Sequence, residues 1–257
     1  MPNHDKTVAV ITGGTQGLGL AIGRRLVEEG CRQLVICGRN PQTGARAEAE
    51  LAALGTDCRY VQADLTQAEA CFKVVDAAHA AFGRVNALVN SAAITTRGTL
   101  LDTSLALWDE HMNLNLRAPF LTMQRAVGYM VDAGEPGSMV NILSMSALGG
   151  QSFLTAYSTS KGGLATLTKN VAGAFKEKRI RCNGILAGWM ETPAEDAIQR
   201  TFHGAQDGWV QAAAQNLPMG QLIQPDELAG LVSYLLSPES GVMTGALIEY
   251  DQHVAGS

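Results

Sequence analysis

Cysteine is scarce and unpaired in its spacing. The chain has five (Cys31, Cys37, Cys58, Cys71, Cys182), an odd number with no Cys-x-x-Cys among them. A fully paired disulfide framework is excluded, and neither the cysteines nor the five dispersed histidines show zinc-ligand spacing, so no metal site is expected. Reduced, mostly buried thiols in a cytoplasmic protein are the expectation. Clustered cations are also missing: 19 Lys plus Arg stand against 24 Asp plus Glu, a net charge of −5. Phosphate-backbone binding needs such clusters, so nucleic acid is not an expected partner. Long apolar runs are absent too. None approaches the roughly 18 residues of a membrane span, and no membrane partner is expected. Asp5 interrupts the N-terminus before the short run Val8 to Ile11, a pattern that predicts no cleaved secretory signal. What remains is a chain of 257 residues that is 46% apolar and 17% charged, enough for a sizeable core and too apolar for disorder.

Seven short apolar runs recur along the chain: Thr7–Thr12, Gln33–Gly38, Cys58–Gln62, Asn86–Asn90, Met139–Leu143, Ile180–Leu186 and Ala246–Tyr250. Their shortness suits strands buried on both faces of a parallel sheet. Helix-like segments lie between them, closed by Gly30, Gly55 and Gly83, and a late helix begins near Pro225 and ends before Ser237-Pro238. The pattern predicts one doubly wound α/β domain spanning residues 1–257, a Rossmann-like and mostly seven-stranded parallel sheet with helices on both faces. Residues 188–218 break the rhythm, being polar with Trp189, Phe202, His203 and Trp209 embedded. They are read as a substrate lid, the other reading being an ordinary pair of surface helices.

The first strand leads into Thr12-Gly13-Gly14-Thr15-Gln16-Gly17-Leu18-Gly19, with a helix next. Gly13 permits the tight turn, Gly17 lets backbone approach a pyrophosphate, and Gly19 allows close helix–strand packing. The helix N-terminus then offers free N–H groups to phosphates. At the end of the second strand, Gly38-Arg39 stands where a carboxylate would accept both ribose hydroxyls. Arg39 suits a 2′-phosphate, which favours NADP(H) over NAD(H), although a solvated surface Arg would look the same.

Tyr157 and Lys161 are four apart and so share a helix face, 13 residues beyond Ser144. A free tyrosine is a poor proton donor or acceptor near neutrality, and a neighbouring ammonium favours its phenolate. With these residues the chain resembles the short-chain dehydrogenase/reductase family, in its branch of roughly 250-residue enzymes. The likeness runs through Thr12–Gly19, Asp64, Asn90-Ser91-Ala92-Ala93, Trp108-Asp109…Asn115, Ser144, Tyr157, Lys161 and Arg181–Pro193. It departs from the family at Ser91, Ala93, Ala187 and Asp251-Gln252-His253, where other residues are usual.

The resemblance implies an NAD(P)-dependent oxidoreductase that interconverts an alcohol and a carbonyl. Tyr157 would be the general acid/base and Lys161 would lower its pKa and hold the nicotinamide ribose. Ser144 would polarise the substrate oxygen, and Asn115 would disturb a helix and hold a water. It also implies cofactor contacts from Gly13, Thr15, Gln16, Gly17, Leu18, Gly19, Arg39, Asp64, Leu65, Asn90, Ala92, Tyr157, Lys161 and Thr192. A small polar ketone, sugar or polyol is the expected substrate. A β-ketoacyl-carrier-protein reductase is the alternative, and a catalytically silent cofactor-binding regulator or scaffold is the alternative of another class. Enoyl reduction is disfavoured, because enoyl reductases of the superfamily space Tyr and Lys seven apart. A homotetramer is expected, joined through Leu114–Val131, Thr155–Lys176 and the last strand.

Overall fold

All seven runs fold as strands: β1 (Val8–Thr12), β2 (Gln33–Gly38), β3 (Asp57–Gln62), β4 (Ala87–Asn90), β5 (Gly137–Ile142), β6 (Ile180–Ala187) and β7 (Leu247–Tyr250). The computed structural model describes residues 3–253. Every position of β1, β4 and β5 is buried, which is why apolar residues follow one another there, as in Val8–Ile11 and Ala87–Val89, instead of alternating with exposed polar ones. All pairings are parallel, in the order β3-β2-β1-β4-β5-β6-β7. Strand order reverses between β1 and β4, and such a reversal opens a crevice beyond the carboxyl ends of the strands. Register brings the chemistry-bearing ends level: Thr12 lies beside Asn90, and Asn90 beside Asn141.

The helices are α1 (Gly17–Glu28), α2 (Pro41–Ala53), α3 (Ala68–Phe82), α4 (Leu105–His111), α5 (Ala118–Ala133), α6 (Thr155–Phe175), α7 (Pro193–His203), α8 (Trp209–Ala214) and α9 (Pro225–Leu236). Each sheet face carries its own core. Leu18, Ile22 and Leu26 of α1 join Leu228 and Val232 of α9 on one side. Val74 of α3, Met123 of α5 and Leu164 of α6 join on the other. Among the described residues, no helix is long and apolar enough to cross a membrane.

The long helix read near Leu114–Val131, with a disturbance implied at Asn115, is divided: α4 and α5 are separated by a π-helical turn at Met112–Arg117. Pro119 has no N–H for the carbonyl four residues back, and its ring crowds that carbonyl, which belongs to Asn115. A wider turn relieves the clash. The segment read as a lid holds α7 and α8, joined by Gly204 to Gly208, both in the left-handed region at φ 65° and 83°.

Candidate active site

The crevice beyond β1 and β4 is a cleft of about 740 Å³. Its floor is the turn from β1 into α1. Gly13 and Gly17 adopt φ of 68° and 52°, a conformation that side chains disfavour. A Cβ on Gly19 would lie 2.3 Å from the Gly13 carbonyl oxygen, so α1 packs directly on the turn. Thr12 Oγ1 accepts from the backbone of Ser91 and Ala92, at 3.1 and 3.2 Å, which pins the turn to the end of β4. Gln16 supplies no side-chain cap to α1 and the first turn holds no acid. The amides there face an anion site with nothing of the protein's own to neutralise them. A pyrophosphate fits this cradle.

Gly13, Thr15, Gln16, Gly17, Leu18, Gly19, Arg39, Leu65, Ala92 and Thr192 all line the cleft, as do Ser144, Tyr157 and Lys161. Three of the residues implied by the family resemblance do not line it. Asp64 turns inward on its own loop, accepting from Thr66 N and Oγ1 at 3.0 and 2.8 Å. Asn90 is buried with its amide spent on Asn141 Oδ1 and Thr122 Oγ1, at 2.9 and 2.8 Å. Asn115 is fully buried, with its side chain donating to Ile94 O and Ser160 Oγ and accepting from Ile94 N. That side chain ties the π turn to the loop after β4 and to α6.

The end of β2 carries Gly38 and Arg39. A Cβ on Gly38 would meet Thr15 Oγ1 at 2.7 Å, so a carboxylate at this position collides with the turn. Arg39 beside it is exposed, and its guanidinium has no partner among the described residues.

Around the reacting position, α6 presents Tyr157 and Lys161. Lys161 is 3% exposed, donates to the Ile142 carbonyl at 2.7 Å, and lies 5.8 Å from the Tyr157 ring centroid. With no carboxylate beside it, burial pulls its pKa down to about 8. Ser144 lies two residues beyond β5 and caps the short turn Met145–Leu148 by accepting from Ser146 N at 3.1 Å. It is therefore a strand-end cap, one of the roles its position allows, and it also meets the Tyr157 hydroxyl.

Without a cofactor, the Tyr157 phenol answers to its protein surroundings alone. Burial lifts the phenol above its ordinary value, the Ser144 hydroxyl draws it down, Glu195 pushes it up and Arg97 lowers it. Desolvation outweighs the Ser144 hydrogen bond and the Arg97 charge, because a buried phenolate loses its hydration.

Two lining residues escaped the sequence reading. Arg97 follows β4 and Glu195 sits in the first turn of α7, with 3.6 Å between Arg97 Nη2 and Glu195 Oε1. Trp189 and Gln199, both expected in the lid, donate to Glu195 Oε1 at 2.9 and 2.7 Å and line the cleft. Glu191 and Trp209 do not. Glu191 accepts from Gln224, and Trp209 donates to Asp196. Among the described residues no cluster of His, Cys, Asp or Glu could hold a metal ion.

Known proteins carry the same frame. A family profile described as Enoyl-(Acyl carrier protein) reductase matches residues 13–252. The NADP-dependent (R)-specific alcohol dehydrogenase of Lentilactobacillus kefiri is 34% identical, over 93% of this chain and 92% of that one. The L-rhamnose 1-dehydrogenase (NAD(P)(+)) of Azotobacter vinelandii is 33% identical, over 96% and 95%. The 3-alpha-(or 20-beta)-hydroxysteroid dehydrogenase of Mycobacterium tuberculosis is 34% identical, over 93% and 85%. A crystal structure described as a short-chain alcohol dehydrogenase from Sinorhizobium meliloti superposes with a TM-score of 0.88 at 27% identity, covering 97% and 96% of the two chains. With the parallel sheet, the glycine cradle and the Ser144–Tyr157–Lys161 cluster in one cleft, the chain belongs to the short-chain dehydrogenase/reductase family of nicotinamide-dependent oxidoreductases acting on CH–OH groups.

Proposed function

We propose that the protein interconverts a small polar ketone, sugar or polyol and the matching alcohol or carbonyl, with Tyr157 moving the proton. The observation that carries this reading is Tyr157 within reach of both Ser144 and Lys161 in the cleft that the glycine cradle floors. The bound nicotinamide supplies or removes the hydride. Gly13, Gly17 and the α1 amides would hold the pyrophosphate, and Lys161 the nicotinamide ribose. Thr192 would meet the carboxamide. It starts the lid segment close to the cradle, since a Cβ on Gly17 would lie 3.7 Å from Thr192 Cβ.

Ser144 donates to the substrate oxygen and prepares it for charge. Tyr157 protonates that oxygen in reduction and takes its proton in oxidation. Both ends of the Asn115 amide are occupied, so a water serving Lys161 would rest on the Asn115 main-chain carbonyl, which Pro119 leaves without its usual donor. Because burial raises the Tyr157 pKa, the phenol keeps its proton at neutral pH. Alcohol oxidation is then expected to speed up as pH rises and ketone reduction to slow, read as kcat/KM in each direction against pH.

We favour NADP(H). Arg39 at the cleft rim is uncommitted and able to grip a 2′-phosphate through its planar fork. Titration with NADPH and NADH tests this: NADPH is expected to bind at least about tenfold tighter, and Arg39→Ala to erase that margin. Equal affinities, or a variant that changes nothing, would make Arg39 a surface residue. Turnover of ketones with the preferred cofactor separates the enzyme from a silent binder, which would bind without oxidising it.

The carrier-protein alternative loses support at the cations it would use. Arg125 is engaged by Asp76, and Arg117 donates to the Thr66 carbonyl. We also propose a homotetramer built on α5 and α6, closing over a lid formed by 188–218. Gly128 and Gly173 open to bare surface, with nothing within 4 Å of a Cβ on either, while Gly163 is instead packed against Leu116 of its own chain. Sedimentation at micromolar concentration is expected to give four times the chain mass, and a 27.1 kDa species would remove the idea. Residence in the cytoplasm is supported by five buried, free thiols.

A further inference from the structure

Arg97 and Glu195 belong to different parts of the chain, the loop after β4 and the first turn of α7, yet they meet in the cleft beside Tyr157. Both line the cleft that Tyr157 also lines, and their fields act on the Tyr157 phenol in opposite directions. Each is largely removed from solvent, with side chains 13% and 15% exposed.

Their hydrogen bonds are incomplete in a complementary way. Arg97 Nε donates to His203 Nε2 at 3.1 Å and Nη1 donates to the Thr95 carbonyl at 3.0 Å, with the guanidinium over the Phe153 ring. Nη2 makes no hydrogen bond among the described residues; its nearest carboxylate oxygen is the one at 3.6 Å. On Glu195, Oε1 takes the Trp189 indole and the Gln199 amide. Oε2 has no partner among the described residues. The pair therefore offers one anchored, unfilled donor and one anchored, unfilled acceptor side by side.

An apolar substrate would bury both without partners, which is unfavourable for each. A carboxylate would satisfy Arg97 but lie against the Glu195 charge. A hydroxyl answers both, since it accepts from one and donates to the other. We infer that Arg97 and Glu195 select a polyhydroxylated substrate, a sugar or polyol, by holding a hydroxyl next to the one that reacts at Tyr157. The inference rests on the alcohol–carbonyl reading above and narrows it to one substrate class. It also makes substrate a bridge between the β4 loop and α7, because Glu195 rides on the segment read as a lid.

The test compares kcat/KM for xylitol, arabinose and rhamnose with that for cyclohexanol and isopropanol, and for hydroxybutyrate, using NADP⁺ and NAD⁺. Wild type is expected to favour the polyhydroxylated group at least about tenfold. In Arg97→Gln and in Glu195→Gln the ratio of polyhydroxylated to monofunctional kcat/KM is expected to fall about 10- to 100-fold, the loss of one charged hydrogen bond. A purely structural role would lower both rates together and leave the ratio standing, and that result overturns the inference. So does a wild type that prefers the monofunctional alcohols. A preference for hydroxybutyrate lost only in Arg97→Gln would assign a carboxylate instead. Failure to oxidise any of them while NADP⁺ still binds overturns the alcohol–carbonyl reading itself, and the inference with it.

Discussion

Tyr157→Phe is expected to lower kcat by about 10²–10⁴-fold while leaving NADPH affinity within a factor of about two. The change deletes one oxygen and keeps the ring. The ring fills its place on α6, edge-on to His111 at 6.4 Å between centroids, so the packing of the cleft survives. What goes is the hydroxyl that meets Ser144 and stands beside Lys161. Ser144 can still donate to the substrate oxygen, and the cradle still binds phosphate, so residual hydride transfer without a positioned acid remains measurable. Stopped-flow loss of reduced-nicotinamide absorbance reads the rate, and cofactor fluorescence reads the affinity. A variant that binds and turns over like wild type would move the proton-transfer role elsewhere.

Lys161→Met is expected to do two opposite things. Turnover falls by at least about 10²-fold, since the buried ammonium beside Tyr157 is lost. Stability without cofactor rises. The folded protein holds Lys161 at a pKa of about 8 against an ordinary 10.5. That shift is worth about 3 kcal/mol of penalty, at about 1.4 kcal/mol for each pH unit. The sign follows from proton counting. Between about pH 8 and 10.5 the unfolded chain binds a proton that the folded one has released, so stability increases with pH across that window. Below pH 8 the penalty is present in full.

Methionine removes the charge and fills nearly the same volume. It forfeits the bond to the Ile142 carbonyl, which offsets about 1–2 kcal/mol. The net gain of about 1–2 kcal/mol corresponds to a melting point about 2–8 °C higher at neutral pH, shrinking toward zero or reversing near pH 10. A lower melting point at neutral pH would show that the ammonium stabilises the fold, against the burial account.

The architecture was readable because its determinants are local. Short runs such as Val8–Thr12 and Ala87–Asn90 are buried at every position and apolar at all but the last, and glycine or proline punctuates the segments between them. The nucleotide cradle was equally legible, since Gly13, Gly17 and Gly19 act within one turn of chain. Tyr157, Lys161 and Ser144 could be found by spacing and resemblance, and all three line the cleft.

What escaped depends on distant parts of the chain. Asn90 sits at the expected strand end, but Asn141 and Thr122 claim its amide from β5 and α5. The π turn at Met112–Arg117 holds Asn115, where the family resemblance implies a disturbed helix, but only the position of Pro119 hints at it from local residue chemistry. Arg97 lies in a Thr-Thr-Arg-Gly loop with no periodicity, and only the packing of α7 across the cleft gives it Glu195 and His203. The Tyr157 phenol is a related case: spacing places an ammonium four residues away, but the burial that raises its pKa in the protein without cofactor is a property of the whole fold.

The most direct measurement of the central claim is isotope transfer. Wild-type protein is mixed with a ketone or ketose and NADPH carrying deuterium at the transferring carbon of the nicotinamide, each epimer in turn, and the product is analysed by mass spectrometry and NMR. The account predicts one deuterium on the new carbinol carbon from one epimer only, a yield that falls with the rate in Tyr157→Phe. Cofactor oxidation with no deuterium in the product, or deuterium delivered to the carbon–carbon double bond of an enoyl substrate while ketones stay unreduced, would contradict it.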